Sequence, residues 1–447
     1  MVKKRGGKDG GAGPVLQWNR GTPRVPGDAP LVVRERYGNG AGGMLIEGDN
    51  YDAMHALKGS HAGGVDLIYI DPPYATGRKF SHRAGPRDGG NPPRDSRAYD
   101  DVWAGGIDDY LQMIYDRLNP MKELLSDRGS IYVHVDWRAS HYVRVLMDEV
   151  FGRDRFQNEI VWCYREAVNS RKRWNRKHDL IFFYTKGAEF TFNSGEVLEP
   201  HADATLKKYR RSDENGPYRL MGRGLKGSPI RSARDVSPDW ERDHPELTYR
   251  QYLPDGRLPV DYWNIDIVNQ CAHERTGYAT QKPESLIKRI VAASSNPGDV
   301  VADFFCGSGT LPAVASRLGR GWLACDASPT AVSVTRRRLL CATGGAGFCV
   351  AGFGERPDAR EPGDAITVAG NGRNRIVVEL VNDAAGPDTR FWAVDPDFKG
   401  GCFSPEWWSV ARNRRDTVET KSPEMKSGGR VGVLISDSAG ADTFFVV

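Results

Sequence analysis

Two short strings in this chain hold residues that could do chemistry together. The first is Asp71-Pro72-Pro73-Tyr74, directly after the apolar run VDLIYI at 65–70. The Asp71 carboxylate and the Pro72 carbonyl, side by side, offer two hydrogen-bond acceptors, and two prolines of fixed φ stiffen the turn that carries them. Such a pair suits an exocyclic amino group, whose lone pair is delocalised into its ring. Accepting both N–H groups lets the nitrogen pyramidalise and aim that lone pair at an electrophile. Tyr74 adds a flat face on which an extracted base could stack, worth ~1–3 kcal/mol. Taken alone, the string reads first as a plain proline turn, and only a second feature at another strand end reverses that.

The second string is VVADFFCGSGT at 300–310. A strand at 300–305, carrying Asp303 and Phe304, passes through the loop Cys306, Gly307, Ser308, Gly309 and Thr310 to a helix around 311–318. Glycines allow close backbone approach, and a helix N-terminus presents free amide donors to a carboxylate or phosphate. The next strand, GWLACD, ends in Asp326, which could take both hydroxyls of a ribose. Residue 312 is Pro, so the third glycine of a dinucleotide fingerprint is missing. A nucleoside with a carboxylate tail fits better than a pyrophosphate, and S-adenosylmethionine is such a molecule.

Both strings sit at the C-terminal ends of predicted strands, so a sheet must bring them to one edge. Apolar runs alternate with helical periodicity at 42–61, 107–127, 139–152 and 283–342. This predicts an α/β, doubly wound, mostly parallel sheet covered on both faces. Residues 1–40, rich in Gly, Pro, Lys and Arg, read as a disordered basic arm. The catalytic half is expected at 41–187, an inserted recognition region at 188–265, the cofactor-binding half at 266–342 and a separate small β domain, a sandwich, at 343–447. The polar stretch 77–103 reads as a long loop, with Phe80 and Trp103 on a candidate lid. Leu311-Pro312 predicts an altered start to the following helix.

Composition excludes several classes. Lys and Arg number 62 against 58 Asp and Glu, a formal charge of +4, so net charge alone does not establish a polyanionic partner. Locally, Arg171, Lys172, Arg173, Arg176 and Lys177 form a basic run around Trp174, suited to phosphate contact. The seven cysteines include no CxxC pair, and no His or Cys cluster has metal-ligand spacing, so reduced thiols and no metal are expected. No apolar run approaches the roughly 20 residues of a membrane span, and the first residues lack a signal-like apolar segment, which predicts a cytoplasmic protein. A Pro-Cys dipeptide, needed for ring-carbon methylation through a thiolate, is absent.

The strings LIEGDNYDAMHALKG, VDLIYIDPPYATG, RGSIYVHVDW, RTGYATQKPESLIKRIVAASSNPGDVVADFFCGSGT and GWLACD resemble the β group of DNA amino-methyltransferases, over about 42–342. That family methylates adenine at N6 or cytosine at N4, and the likeness extends to modification subunits of type III systems. The resemblance implies a seven-stranded methyltransferase fold of circularly permuted motif order. It carries Asp71, Pro72, Pro73 and Tyr74 over as the catalytic set. It makes Asp303, Phe304, Cys306, Gly307, Ser308, Gly309 and Thr310 the surroundings of the methionine part of S-adenosylmethionine. Asp326 becomes the ribose acid and Asp49 a neighbour of the adenine, with Thr280, Gln281, Lys282 and Pro283 completing the cofactor pocket. Ala75 replaces a commoner Asn, and Asp71, where cytosine enzymes more often have Ser, favours adenine. Double-stranded DNA is the implied partner, gripped by the basic run and Phe80, with a homodimer and a restriction endonuclease as further candidates. Cytosine N4, RNA or protein amide methylation, and a catalytically silent DNA-binding subunit are the alternatives.

Overall fold

The computed structural model describes residues 16–18, 20–22, 24–38, 42–83, 95–165, 170–223, 234–342, 347–354, 359–361, 363–370, 374–381, 384, 388–411 and 416–447, with the side chains of 81–83 and 95–97 outside the description. Contacts divide the chain into two compact units, Met1–Phe192 with Asp261–Val447, and Asn193–Val260.

The larger unit opens with β1 (Leu31–Tyr37), β2 (Gly43–Glu47), α1 (Asn50–His61), β3 (Val65–Ile70), β4 (Arg78–Arg83), β5 (Asp95–Asp101), α2 (Ile107–Leu124), β6 (Leu125–Val135), α3 (Ser140–Phe151), β7 (Phe156–Cys163) and β8 (His178–Thr185). The smaller unit holds α4 (Asp203–Leu206), β9 (Arg211–Asp213), β10 (Gly216–Gly222), β11 (Arg234–Asp235), α5 (Pro238–Asp243) and β12 (Thr248–Tyr252). Its four strands form one antiparallel sheet, centred on β10. The chain returns with β13 (Tyr262–Asn264), α6 (Glu284–Ser294), β14 (Val300–Asp303), α7 (Thr310–Arg317), β15 (Gly321–Asp326), α8 (Pro329–Ala342) and β16 (Phe348–Phe353).

The main sheet runs β1-β16-β2-β15-β14-β3-β6-β8-β7-β13. The expected seven strands are its middle, β2 to β7, parallel except for β8, which is antiparallel to β6 and β7. Strands such as VDLIYI are apolar along nearly their whole length because helices cover both faces. On one face Tyr110, Leu111, Ile114, Leu118 and Met121 of α2 pack against Ile68, Ile131 and Val133, and on the other Leu286, Ile287, Ile290 and Val291 of α6 pack against Leu67 and Val301.

Three expectations are corrected. Residues 1–40 are not wholly disordered: Leu31–Tyr37 is a strand paired antiparallel to β16, with Tyr37 stacked on Phe348 at 4.8 Å. Glycine and proline around this segment hid a short strand whose buried face holds Glu35 and Tyr37. The stretch 77–103 contains a hairpin, β4 against β5, where polar composition had suggested only a loop, while residues 84–94 of the candidate lid lie outside the described residues.

The C-terminal region is β-rich but not a separate body. Its strands β17 (Ile366–Gly370), β18 (Arg375–Leu380), β19 (Thr389–Asp395), β20 (Trp407–Val410), β21 (Met425–Lys426), β22 (Gly432–Asp437) and β23 (Asp442–Val446) form a three-stranded and a four-stranded sheet. Trp392, Val394, Val433 and Ile435 share a core with Ile366, Val378 and Leu380, as a sandwich requires. The alternate residues Phe391, Ala393 and Leu434 face the other way and join the core of the main sheet. Buried Arg336 of α8 locks this face, pairing with Glu35 at 3.0 Å and Asp442 at 2.7 Å. Burial alone would lower the Arg336 pKa, but Asp442 and Glu35 hold the guanidinium firmly charged.

Candidate active site

Among the acids that leave one sheet edge, four face a common space: Asp49 after β2, Asp71 after β3, Asp303 at the end of β14 and Asp326 at the end of β15. Parallel pairing of β15 with β2, β15 with β14 and β14 with β3 fixes this edge as the C-terminal one, where open α/β sheets bind ligands. Above it lies a cavity of about 420 Å³ lined by all four acids, Pro72, Pro73, Tyr74 and the strap Tyr278–Lys282.

The Asp71 carboxylate is held by two side chains. Lys282 Nζ donates to its Oδ2 and the Tyr74 hydroxyl to its Oδ1. Burial, with Asp71 adding to it, pushes the Tyr74 phenol well above its ordinary range, which keeps this donor protonated. Lys282 Nζ also lies 5.3 Å from the Tyr74 ring centroid. Behind the pair, His134 of β6 places Nδ1 3.8 Å from Asp71 Oδ1 and 2.9 Å from the Tyr69 hydroxyl, and Nε2 3.4 Å from Asp179 Oδ2. Burial would raise Asp179, but His134 beside it, and Lys282 further off, hold it below the usual carboxylate value.

The turn after Tyr74 is stiffened from a distance in sequence. Ala75 has φ 55°, and the buried Asp101 accepts hydrogen bonds from Ala75 N at 2.9 Å, Thr76 N at 2.7 Å and Trp103 Nε1 at 3.0 Å. On the facing strap Thr280 has φ 57°, an unusual conformation for a β-branched residue. Two of the three non-glycine residues of positive φ among the described residues therefore border this pocket.

The glycine loop is tied to backbone. Asp326 accepts from Gly307 N and Ser328 N, both at 2.9 Å. Burial still leaves Asp326 above its ordinary value, and drives Asp303, which accepts from Phe305 N at 3.0 Å, well above it. Gly309 adopts φ +69° and caps α7, and a Cβ there would lie 2.6 Å from the Thr335 side chain. Pro312 falls in the first turn of α7, where its missing N–H has no partner to lose; the first helical bond is Ala313 N to Gly309 O at 3.2 Å. The helix start is thus regular where an altered one was expected. Cys306 is buried among these groups, and burial pushes its thiol far above the normal range, leaving it inert.

The remaining sequence candidates divide. Phe304, Cys306, Ser308, Thr310, Thr280, Gln281 and Lys282 line the cavity; Gly309 and Pro283 shape the backbone beneath, Pro283 as the residue preceding α6. The polar atoms of Gln281 are spent within its own strap, accepting from Thr276 N at 2.8 Å and donating to Glu274 O at 2.7 Å. Asp49 caps α1 through Tyr51 N and is paired with Arg24 at 2.8 Å and Arg117 at 3.1 Å, so its carboxylate is largely engaged before any ligand arrives. Phe80 stacks on Tyr99 at 4.7 Å within the hairpin. Arg171, Lys172 and Arg173 are exposed, Lys177 is half-buried, and Arg176 lies 3.6 Å over the Trp137 ring. Their loop leaves β7 at the same edge as Asp71 and displays Trp174, 95% exposed.

His134, Asp179, Tyr69, Asp101, Asn50, Arg117, Tyr99 and Tyr278 were not singled out from sequence. The available signals were a histidine inside the apolar strand IYVHV and acids at strand ends in HDLIFF and YDD.

The cavity fits S-adenosylmethionine in size and donor set: an acid for ribose hydroxyls at Asp326, a glycine turn where a Cβ on Gly307 would crowd Tyr278 at 3.3 Å, and the N-terminus of α7 for a carboxylate. A family model described as DNA methylase matches residues 65–337. The type II methyltransferase M.EcaI of Enterobacter cloacae is 33% identical over 66% of this chain and 69% of its own length. The DNA adenine methyltransferase YhdJ of Escherichia coli K12 is 27% identical over 68% of this chain and 84% of its own length. The solved structure of PvuII DNA methyltransferase (cytosine-N4-specific) is similar at a TM-score of 0.42, with 13% identity over 68% of this chain and 89% of that one. No helix among the described residues is long and apolar enough to cross a membrane. The chain belongs to the N6/N4 DNA methylase family, whose members transfer a methyl group to DNA from S-adenosylmethionine.

Proposed function

We propose that this protein methylates the N6 amino group of adenine, flipped out of double-stranded DNA at a specific sequence in the cytoplasm. The observation that carries this reading is the Asp71 carboxylate, held by the side chains of Lys282 and Tyr74 and opening on the same cavity as the glycine loop. When bound, S-adenosylmethionine supplies an electrophilic methyl on a sulfonium. The loop Cys306–Thr310 and Asp326 hold it. Asp71 and the Pro72 carbonyl accept the two amino N–H groups, the base displaces Lys282 and stacks on Tyr74, and the nitrogen lone pair turns toward the methyl. Positioning of this kind is worth ~7–11 kcal/mol. Arg171, Lys172 and Arg173 grip phosphates, and Asn193–Val260 serves as the recognition region.

Adenine is favoured over cytosine by the acid at position 71 and by the adenine methyltransferase among the relatives. The test is incubation of the purified protein with unmethylated duplex DNA, RNA and protein acceptors and a labelled donor, followed by nucleoside analysis. N6-methyldeoxyadenosine at one sequence is expected. Label only in N4-methyldeoxycytidine, or only in RNA or protein, overturns the assignment.

A further inference from the structure

His134 lies behind Asp71, and the proposed function leaves it without a task. It is fully buried on β6, a strand whose neighbouring residues Val133 and Val135 are apolar. Its Nε2 faces Asp179 Oδ2 at 3.4 Å and makes no hydrogen bond among the described residues. Its Nδ1 faces the Tyr69 hydroxyl and Asp71 Oδ1. The rings of Trp162 and Tyr74 enclose it at 5.3 and 5.9 Å. Burying an imidazole costs free energy that an apolar ring of similar size would not. The groups facing it are Tyr69, Asp71 and Tyr74 from β3 and its turn, Asp179 from β8 and the uncharged Trp162 from β7, with Lys282 beyond Asp71.

We infer that His134, oriented by Asp179, receives through Asp71 the proton that the methylated amino group must lose. This rests on the reading of Asp71 as the acid that orients the amino group. As the nitrogen lone pair forms the new N–C bond, the carbon–sulfur pair returns to sulfur, and the nitrogen is left with one proton too many. That proton passes to Asp71 and, after a small carboxylate rotation closes the 3.8 Å gap, to Nδ1. The Tyr69 hydroxyl serves both states of the ring, donating to neutral Nδ1 and accepting from the protonated one. Asp179 balances the imidazolium and Asp71 returns to the carboxylate; once the product has left, the proton goes back from Nδ1 through Asp71 to water in the opened cavity, so that ring and carboxylate are both ready for the next base. His134 is thus a positioning and relay residue acting through Asp71.

The test is single-turnover methylation of duplex DNA by the full-length protein from about pH 5 to 8, the range in which imidazole titrates. Wild type, His134→Gln and Asp179→Asn are compared, with donor affinity measured for each and the His134 ring followed by NMR without donor. Wild-type rate is expected to fall on the acid side, because a protonated ring cannot accept. His134→Gln should be slower by ~10²-fold and lose that fall. Asp179→Asn should move both the fall and the ring titration to lower pH, since the carboxylate that favours the imidazolium is gone. Should His134→Gln not fold, Asp179→Asn decides alone. An acid-side fall that survives His134→Gln, or a ring titration unmoved in Asp179→Asn, overturns the relay. A wild type that methylates no DNA amino group overturns instead the reading of Asp71 on which it rests.

Discussion

Asp71 and Asp303 stand at the ends of adjacent parallel strands, yet their surroundings are opposite. Asp71 is satisfied by the side chains of Lys282 and Tyr74. Asp303 is buried, bonded to the backbone of Phe305, and pushed upward in pKa by loss of water. Its neighbour Asp326 is likewise fixed by the amides of Gly307 and Ser328. On the reading proposed for Asp71, an acid that receives a substrate group is held by side chains, whereas the acids beside the glycine loop are bonded to backbone amides that stay in place.

Breaking the Asp71 side should have the largest effect. Asp71→Ala is expected to lower single-turnover methylation by ~10²–10⁴-fold while donor affinity, measured by calorimetry, stays within a few fold. Equal loss of both would show that the two turns do not divide the work. Next comes Asp101→Ala, which strips the acceptor from Ala75, Thr76 and Trp103. Thermal unfolding should report a loss of about 1–3 kcal/mol for the stranded donors, and the rate should fall more than donor affinity.

On the fixed side, Gly309→Ala forces a Cβ against Thr335 at positive φ and should weaken donor binding by roughly tenfold, or 1.4 kcal/mol, with a smaller effect on a saturated rate. The smallest change is expected from Asp303→Asn. The folded-state pKa of Asp303 lies above its unfolded value, so this acid subtracts stability as pH rises from the unfolded pKa through the folded one. Asp303→Asn should therefore raise the melting temperature at neutral pH, with the gain fading as pH falls below the ordinary carboxylate value. A gain that persists at low pH would mean that burial of the charge is not the cause.

Much of this site was legible because parallel strands fully covered by helices read as apolar runs, and the residue ending such a run must emerge at the sheet edge. Asp71, Asp303 and Asp326 each announce themselves in that way. Glu35 and Leu31–Tyr37 did not, because a short edge strand set in Gly- and Pro-rich chain buries its acid against Arg336, some 300 residues away. The hairpin β4–β5 was missed for a related reason: its strands are polar, and pairing with each other replaces the apolar face that sequence patterns detect.

Fold class, the two acid-bearing turns and the family follow from the amino-acid order alone, since these depend on local runs and on short strings whose chemistry is carried by adjacent residues. What each acid faces is set by the folded chain. Lys282, 211 residues from Asp71, lies against it because the strap before α6 lines the same cavity as the turn after β3, and His134 and Asp179 meet behind it because β6 and β8 are neighbours in the sheet. Such contacts depend on strand order and register, which set distances between side chains far apart in the chain and leave no local periodicity to read.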